Sequence, residues 1–537
     1  MEIMLNGKHN DNIIYTPNPL ETPDPRGVGY EYFKAMERYR ERIAQVDGHT
    51  NKEETYESFL KRCVRTAITM KNRGIKPGDF VSMCTVNDMD ACVVYIAAIF
   101  IGAITANVDT SMSSKKIVSL LKPVSPKMVF ATKQCEHLMQ EVVCEFGGQI
   151  LLVVFGKTEK HIPFTEFLQR YDNENDFRVY EAVNLEETVF VSFSSGTTSS
   201  PKAICHTHSS MRARYRSKND ECKTYAVFYS PCRALFKRSV HETILNGFRR
   251  ILFHKISHGE PWKVLNYKVD YMLLSPVTSE VFLKYRKPPH FDLGNLRLLL
   301  IGGNYASKEF LLKLKNMFPK TIVRPSYGQS EIFSTVAAFP EDHRTDTLVR
   351  DFPTSIGLPR EGFSYKVVDA ETEEILGPNR QGELRLKTKY LMKGYLNYES
   401  PDLFDSDGWY RTGDLAYYNE HRCFFITGRL KDTFKYGNNH VYPREIEEVL
   451  LSHRSIQNAA VLGVEHEVVG FHPIAVVKLN DGEECVTPEE IIEYVDQRVE
   501  DKNRLRGGVK FVKEFPWTPT HKIQKSKLRE WIAKGII

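Results

Sequence analysis

Apolar positions along the first four hundred residues fall into short continuous runs set between longer amphipathic segments. Residues 150–155 and 298–301 are such runs, each close to glycine. A strand buried on both faces needs this pattern, as in a parallel sheet. Runs alternating with helical periodicity predict an α/β fold. The most apolar stretch, residues 92–106, is fifteen residues long, short of the ~20 that a membrane-spanning helix needs. With Gly102 and Thr105 interrupting its end, it reads as a buried core helix.

The pattern changes near Gly428-Arg429-Leu430-Lys431 and becomes compact α+β. Residues 444–453 predict a helix with Ile446, Val449 and Leu450 on one face. A second helix starts at Thr487, which can cap it; Pro488 suits the first turn and Glu490 completes a capping box. Ile491, Ile492, Val495 and Val499 form its apolar stripe. The expected organisation is a large N-terminal domain over residues 1–428 and a small α+β domain over 429–537, joined by a hinge. At 537 residues the chain is also too long for one core.

Composition narrows the class. Hydrophobic residues make up 42% and charged residues 26%, ordinary for a soluble globular protein. The net charge of +5 is spread along the chain, whereas nucleic-acid binding calls for a basic stripe. Ten cysteines include no C-x-x-C pair, which argues against structural zinc and fits a reducing compartment. The first twenty residues are polar, with no signal-peptide pattern. The last residues, Lys534 to Ile537, differ from the peroxisomal Ser-Lys-Leu address. A cytoplasmic location is the default expectation. Oligomeric state is not legible.

The densest candidate chemistry is at 191–202, where a β-branched, aromatic strand runs into Ser194-Ser195-Gly196-Thr197-Thr198-Ser199-Ser200-Pro201-Lys202. Small residues, hydroxyls and one lysine can converge on an anion, phosphate above all. The spacing is not that of a Walker loop.

Ser-Ser-Gly-Thr-Thr-x-x-Pro-Lys resembles the phosphate loop of the adenylate-forming enzymes, which include acyl-CoA synthetases, 4-coumarate–CoA ligases and beetle luciferases. Four further blocks follow in the family's order. Residues 326–331 (Ser-Tyr-Gly-Gln-Ser-Glu) are similar to its Gly-Tyr-Gly-x-Thr-Glu. Residues 409–414 (Trp-Tyr-Arg-Thr-Gly-Asp) match its Trp-Tyr-x-Thr-Gly-Asp. Residues 428–432 and 441–447 resemble its hinge region, and 519–523 stand where it keeps a C-terminal catalytic lysine. The resemblance spans roughly residues 30 to 530 and looks closest to insect luciferase-like acyl-CoA synthetases.

The resemblance implies a two-step reaction using Mg²⁺, ATP, a small-molecule carboxylate and coenzyme A. Ser195, Gly196, Thr197, Thr198 and Lys202 would hold phosphates. Glu331 would hold Mg²⁺, a hard cation that takes carboxylate oxygens. Tyr327 would stack on adenine, with Gly302, Gly303, Gly328 and Ser330 beside the nucleotide. Asp414 would take the ribose hydroxyls, and Arg429 would lie on the ribose and phosphate side. Lys431 would be the hinge residue of a rotating lid. Lys522 would serve adenylation and Lys435 the second half-reaction. His206, just beyond the phosphate loop, reads as structural or catalytic.

Five family glycines are replaced, by Ser199, Ala203, Ser326, Asn438 and His521. Where such a glycine has positive φ, another residue costs roughly 1–2 kcal/mol, and Gly437 could take over the turn at Asn438. In the acyl pocket Cys232 and Arg233 stand where luciferases carry a His-His pair. That arginine could anchor a polar substrate end or close the pocket. The expected function is an AMP-forming acyl-CoA ligase for a medium- or long-chain fatty acid. The alternatives are a luciferase-like monooxygenase and a catalytically weakened nucleotide- or acyl-binding homologue.

Overall fold

The computed structural model of the chain describes residues 11–18, 22–194, 202–212, 223–256, 260–288, 295–340, 345–483, 485–518 and 522–537. Among these residues, two mostly parallel sheets form the body. The eight-stranded one runs Gly394–Tyr395, Ala203–Thr207, Thr188–Phe193, Ile104–Ala106, Phe80–Cys84, Met128–Thr132, Leu151–Phe155, Ile162–Pro163. The seven-stranded one runs Ile322–Ser326, Leu298–Gly302, Tyr271–Leu274, Thr224–Val227, Arg249–Leu252, Ile43–Asp47, Glu53–Thr55. Both continuous apolar runs are thus strands, buried except for the exposed Leu151 and the half-buried Leu300.

Helices Val28–Arg38, Tyr56–Asn72, Met89–Phe100 and Ala234–Asn246 share one core with strands of both sheets, so they fill the space between them. This layer explains the most apolar stretch. Every residue of Met89–Phe100 except Asp90 is buried, as a helix covered on all sides must be. Asp88 caps it, its carboxylate accepting from the Ala91 amide at 2.7 Å; such a cap contributes about 1 kcal/mol. The expected single helix over 92–106 is too long, however. Gly102, at φ 72°, ends the helix and Ile104–Ala106 turns back as a strand.

A third, antiparallel sheet carries Phe363–Val368, Gly382–Thr388, Tyr410–Tyr418 and Phe424–Arg429 in that order. Its last strand ends at Arg429, and the turn Leu430–Asp432 leads directly into the small C-terminal domain. There Asn439–Val441, Phe434–Tyr436, Gly470–Leu479 and Ile456–His466 form a sheet with Val509–Phe511 added in parallel. Helix Pro443–Leu451 buries Ile446 and Leu450. Helix Pro488–Asp496 has the predicted capping box, but it stops before Val499. No helix among the described residues is long and apolar enough to cross a membrane.

Candidate active site

The first sheet supplies the strand pair that brackets the phosphate-loop sequence. Ser194 and Lys202 close it: the Ser194 amide donates to the Lys202 carbonyl at 2.9 Å, and the Lys202 amide to Ser194 Oγ at 2.9 Å. Residues 195–201, including Ser195, Gly196, Thr197, Thr198 and Ser199, lie outside the described residues. Lys202 Nζ sits 4.7 Å from the Tyr395 ring centroid and 4.3 Å from that of Tyr398, a cation–π cradle. The Tyr395 hydroxyl donates to Glu331 Oε1 at 3.2 Å. One tyrosine therefore links the loop's lysine to the carboxylate.

Asp414 is nearly fully buried and engaged from three sides. Its Oδ2 accepts from the Tyr327 hydroxyl at 2.5 Å and from Gln329 Nε2 at 2.7 Å; Oδ1 faces Arg429 Nε at 2.7 Å. Antiparallel pairing places Asp414 opposite Arg429. Burial, then the Asp414 charge, holds the Tyr327 phenol well above its ordinary pKa of 10. Burial works against the Arg429 cation, but Asp414 and its neighbours outweigh it and raise its pKa. Gln329 is fixed in turn, donating to the Thr412 carbonyl at 2.8 Å and accepting from the Tyr410 hydroxyl at 2.7 Å.

Gly302 pairs with Ser326 across parallel strands, and a Cβ there would meet the Ser326 carbonyl at 3.0 Å. Gly303 has φ 85° with open space around it. Gly328 and Ser330 are exposed on the same segment as Tyr327 and Glu331. His206 is buried with its ring stacked on Phe190 at 4.7 Å. Its Nε2 lies 2.7 Å from the Ser330 carbonyl. A carbonyl only accepts, so Nε2 carries the proton. Burial pushes the imidazole pKa down to about 4. His206 thus supports the backbone next to Glu331.

The C-terminal domain brings Lys522 to this cluster. Burial lowers its ammonium pKa and Arg429 repels it, while Asp414 and Glu331 pull it back up. The Thr518 amide donates to the Lys522 carbonyl at 2.8 Å, and the Lys522 amide to Thr518 Oγ1 at 3.0 Å. His521 falls in the undescribed segment between them. Lys431 is in the connecting turn, where burial and Arg429 lower its pKa. Lys435 is not brought in: it pairs with Glu371, which His440 also approaches at 3.2 Å.

Arg233, expected either to anchor a polar substrate end or to close the pocket, pairs with Asp109, its Nη2 3.1 Å from Oδ2. Cys232 donates to that same oxygen at 3.4 Å, and burial raises its pKa to about 11. Of the five replaced glycines, Ala203, Ser326 and Asn438 have no positive φ; Gly437, at φ 57°, makes the turn. Ser199 and His521 lie outside the described residues.

Sequence reasoning missed Gln329, Tyr395, Tyr398, Tyr410 and Lys237. Gln329 and Tyr410 were inside recognised blocks. Tyr395 and Tyr398 carry no local signal. Lys237 did: it lies on the apolar stripe of its helix with Val240 and Ile244. It is fully buried, 3.2 Å from Ser192 Oγ, and burial lowers its pKa to about 8.

Residues 32–396 match the family model for the AMP-binding enzyme, and 445–522 that for the AMP-binding enzyme C-terminal domain. A luciferin 4-monooxygenase of Photuris pensylvanica is 31% identical, over 97% of this chain and 98% of its own. 4-Coumarate–CoA ligase 3 of Arabidopsis thaliana is 27% identical, over 93% and 90%. Among solved structures, the luciferase-like enzyme of the nonluminescent Zophobas morio mealworm aligns at 30% identity with a TM-score of 0.73, covering 79% of this chain and all of that one. ATP-bound MatB of Rhodopseudomonas palustris shares the fold at 20% identity and a TM-score of 0.81, covering 94% and 98%. The chain belongs to the AMP-binding, adenylate-forming family of enzymes, with luciferase-like and 4-coumarate–CoA ligase-like proteins among its relatives.

Proposed function

We propose that this chain is an ATP-dependent, AMP-forming acid–CoA ligase, with residues 1–428 as the adenylation domain and 429–537 as the lid. The observation that carries the reading is that Lys522, from the lid, lies within electrostatic reach of the buried Asp414 and of Arg429 and Glu331. In the first step a substrate carboxylate oxygen attacks the α-phosphorus of ATP and pyrophosphate leaves. In the second the CoA sulfur, giving up its proton, attacks the acyl carbon and AMP leaves.

Both reactants of the first step are anions, so the protein's task is to hold them in line and offset their charge. Lys202 and the hydroxyls of Thr197 and Thr198 would take the β- and γ-phosphates. Lys522 would lie between the attacking carboxylate and the α-phosphate. Asp414 would receive the ribose hydroxyls as they replace part of its present set of donors. Lys435, now on Glu371, would come in only after the lid turns about Lys431. Glu331 offers a partly exposed carboxylate with one neutral partner, a fit for Mg²⁺. When bound with ATP, Mg²⁺ neutralises phosphate charge.

An aliphatic carboxylic acid of medium or long chain is the substrate class to test first. The experiment is AMP and pyrophosphate release by the purified protein with Mg-ATP across carboxylates, with and without CoA. Release that needs both acid and CoA supports the ligase. Oxygen consumption or light without CoA favours the monooxygenase. ATP binding with no release across the panel marks a degenerate binding protein.

A further inference from the structure

Arg360 is enclosed by protein yet still partly reached by solvent, the setting of a cleft-lining side chain. Its Nη1 donates to Ser334 Oγ at 3.1 Å, the Thr335 carbonyl at 3.3 Å and Thr335 Oγ1. All three acceptors are neutral. Its Nε–Nη2 edge receives no partner among the described residues, and that edge is the fork that grips a carboxylate through two parallel hydrogen bonds.

The nearby charge does not balance. Burial and Arg238 both disfavour the Arg360 cation, while Glu242 favours it. Glu242 is already paired, with its Oε1 2.9 Å from Arg238 Nε. Lys237, next to Arg238 on the same helix, is buried against the neutral Ser192 and Phe190. Around Arg360, two cations, Arg360 and Arg238, face one carboxylate, Glu242, which leaves an excess of positive charge. Such an arrangement is costly unless an anion completes it.

The surroundings of Arg360 adjoin the segment that carries Glu331. Ser334 and Thr335 follow Glu331 by three and four residues. The Val336 amide donates to the Tyr327 carbonyl at 3.1 Å, tying this segment to the tyrosine beside Asp414. Phe333 packs on Phe190, His206 and His241, which fixes the segment against the Ala234–Asn246 helix.

We infer that the acid activated here carries a second carboxylate, held by the Nε–Nη2 fork of Arg360 with Arg238 beside it. The substrate class is then a dicarboxylic acid, an aliphatic chain with a carboxylate at each end. This rests on the ligase reading.

The test measures CoA-dependent AMP release with straight-chain diacids of graded length, their monomethyl half-esters and monoacids of equal length. Arg360→Leu is compared with the unmodified enzyme. For at least one chain length the diacid should exceed its half-ester and monoacid at least tenfold in kcat/KM. Arg360→Leu should remove that preference while leaving ATP affinity and monoacid turnover within about threefold. Equal or better use of the half-ester by the unmodified enzyme overturns the inference, even where Arg360→Leu does not fold. A diacid preference that Arg360→Leu leaves intact, in a variant that still binds ATP, also overturns it. Turnover of monoacids alone leaves the ligase standing and sinks only this inference. No CoA-dependent release with any acid sinks both.

Discussion

The guanidinium of Arg444 lies 3.7 Å over the ring of Tyr305, and the hydroxyl of that tyrosine donates to Glu448. Tyr305 follows the Gly302-Gly303 turn of the large domain, and both partners are on the first helix of the small one. Burial, followed by the Tyr305 hydrogen bond as an opposing effect, leaves the Glu448 pKa raised. In the proposed mechanism this contact would hold the C-terminal domain in the pose that brings Lys522 towards Asp414 and Glu331. A cation–π contact and a charge-assisted hydrogen bond together contribute about 2–3 kcal/mol. Tyr305→Ala should therefore slow acid-dependent pyrophosphate release by roughly 30-fold or more. Thioester formation from supplied acyl-adenylate should be unchanged. Stopped-flow measurement of the two half-reactions separates these outcomes; equal loss in both contradicts the docking role.

Lys522→Ala should reduce adenylate formation by about 10²–10³-fold, the cost of losing one preorganised donor to a charged transition state. Transfer from a supplied adenylate to CoA should persist. Single-turnover assays of each half check this, and full adenylation activity in the variant would remove Lys522 from the first step.

Asp414→Ala leaves the Arg429 guanidinium and the Tyr327 hydroxyl without their shared acceptor. Arg429 is 42% exposed and can turn to water, so the main cost is the half-buried Tyr327 hydroxyl left without its acceptor, about 1–3 kcal/mol, and the variant should unfold at lower urea. ATP affinity should also fall, measured by calorimetry on the folded fraction. Unchanged nucleotide affinity would place the ribose elsewhere.

Lys237 makes a pH prediction. Its folded pKa is about 8 against an ordinary 10.5, through burial. Between those values the unfolded chain holds a proton that the native chain has lost, so stability rises with pH across that window. Below about 8 the full cost of the buried charge remains, at most about 3 kcal/mol at 1.36 kcal/mol per pKa unit. His206 is neutral throughout this range. Cys232, raised from 9 to about 11, keeps a proton that the unfolded chain loses and so gives an opposing slope above pH 9. The comparison with Lys237→Met separates that slope from the lysine's. Lys237→Met should raise the urea midpoint at pH 7 and flatten its rise between pH 8 and 10.5. An identical pH slope in both proteins would refute the assignment.

Gly437→Ala should cost about 1–2 kcal/mol, because φ is 57° there. Asn438→Gly should change the melting temperature little, since Asn438 occupies ordinary backbone space. Melting curves of the two variants distinguish which residue makes the turn.

Those two neighbours illustrate what the sequence does and does not reveal. Strands 151–155 and 298–302, the lid helices and the capping box at Thr487 were legible because local periodicity and cap chemistry determine them. The replaced glycines at 203, 326 and 438 looked costly because φ cannot be read from residue identity. The structure places the demand on Gly437 instead. Asp414, Arg429 and Lys522 were legible as family blocks, while Tyr395 and Arg360 were not. Both of those owe their place to strands and segments brought together from far along the chain. The pairing of Arg233 with Asp109 was illegible for the same reason, since the two lie more than a hundred residues apart.

Lys435 and His440 share Glu371 at an exposed corner beyond the hinge. Water and salt screen charges there, so the attachment is weak. The C-terminal domain is thus fastened unevenly, with a half-buried cation–π catch at Tyr305 and a loose tether at Glu371. Added salt should free the tether long before it disturbs the catch. In the proposed cycle, turning this domain would have to break the Tyr305 contact, and ionic strength becomes a handle on how readily it turns.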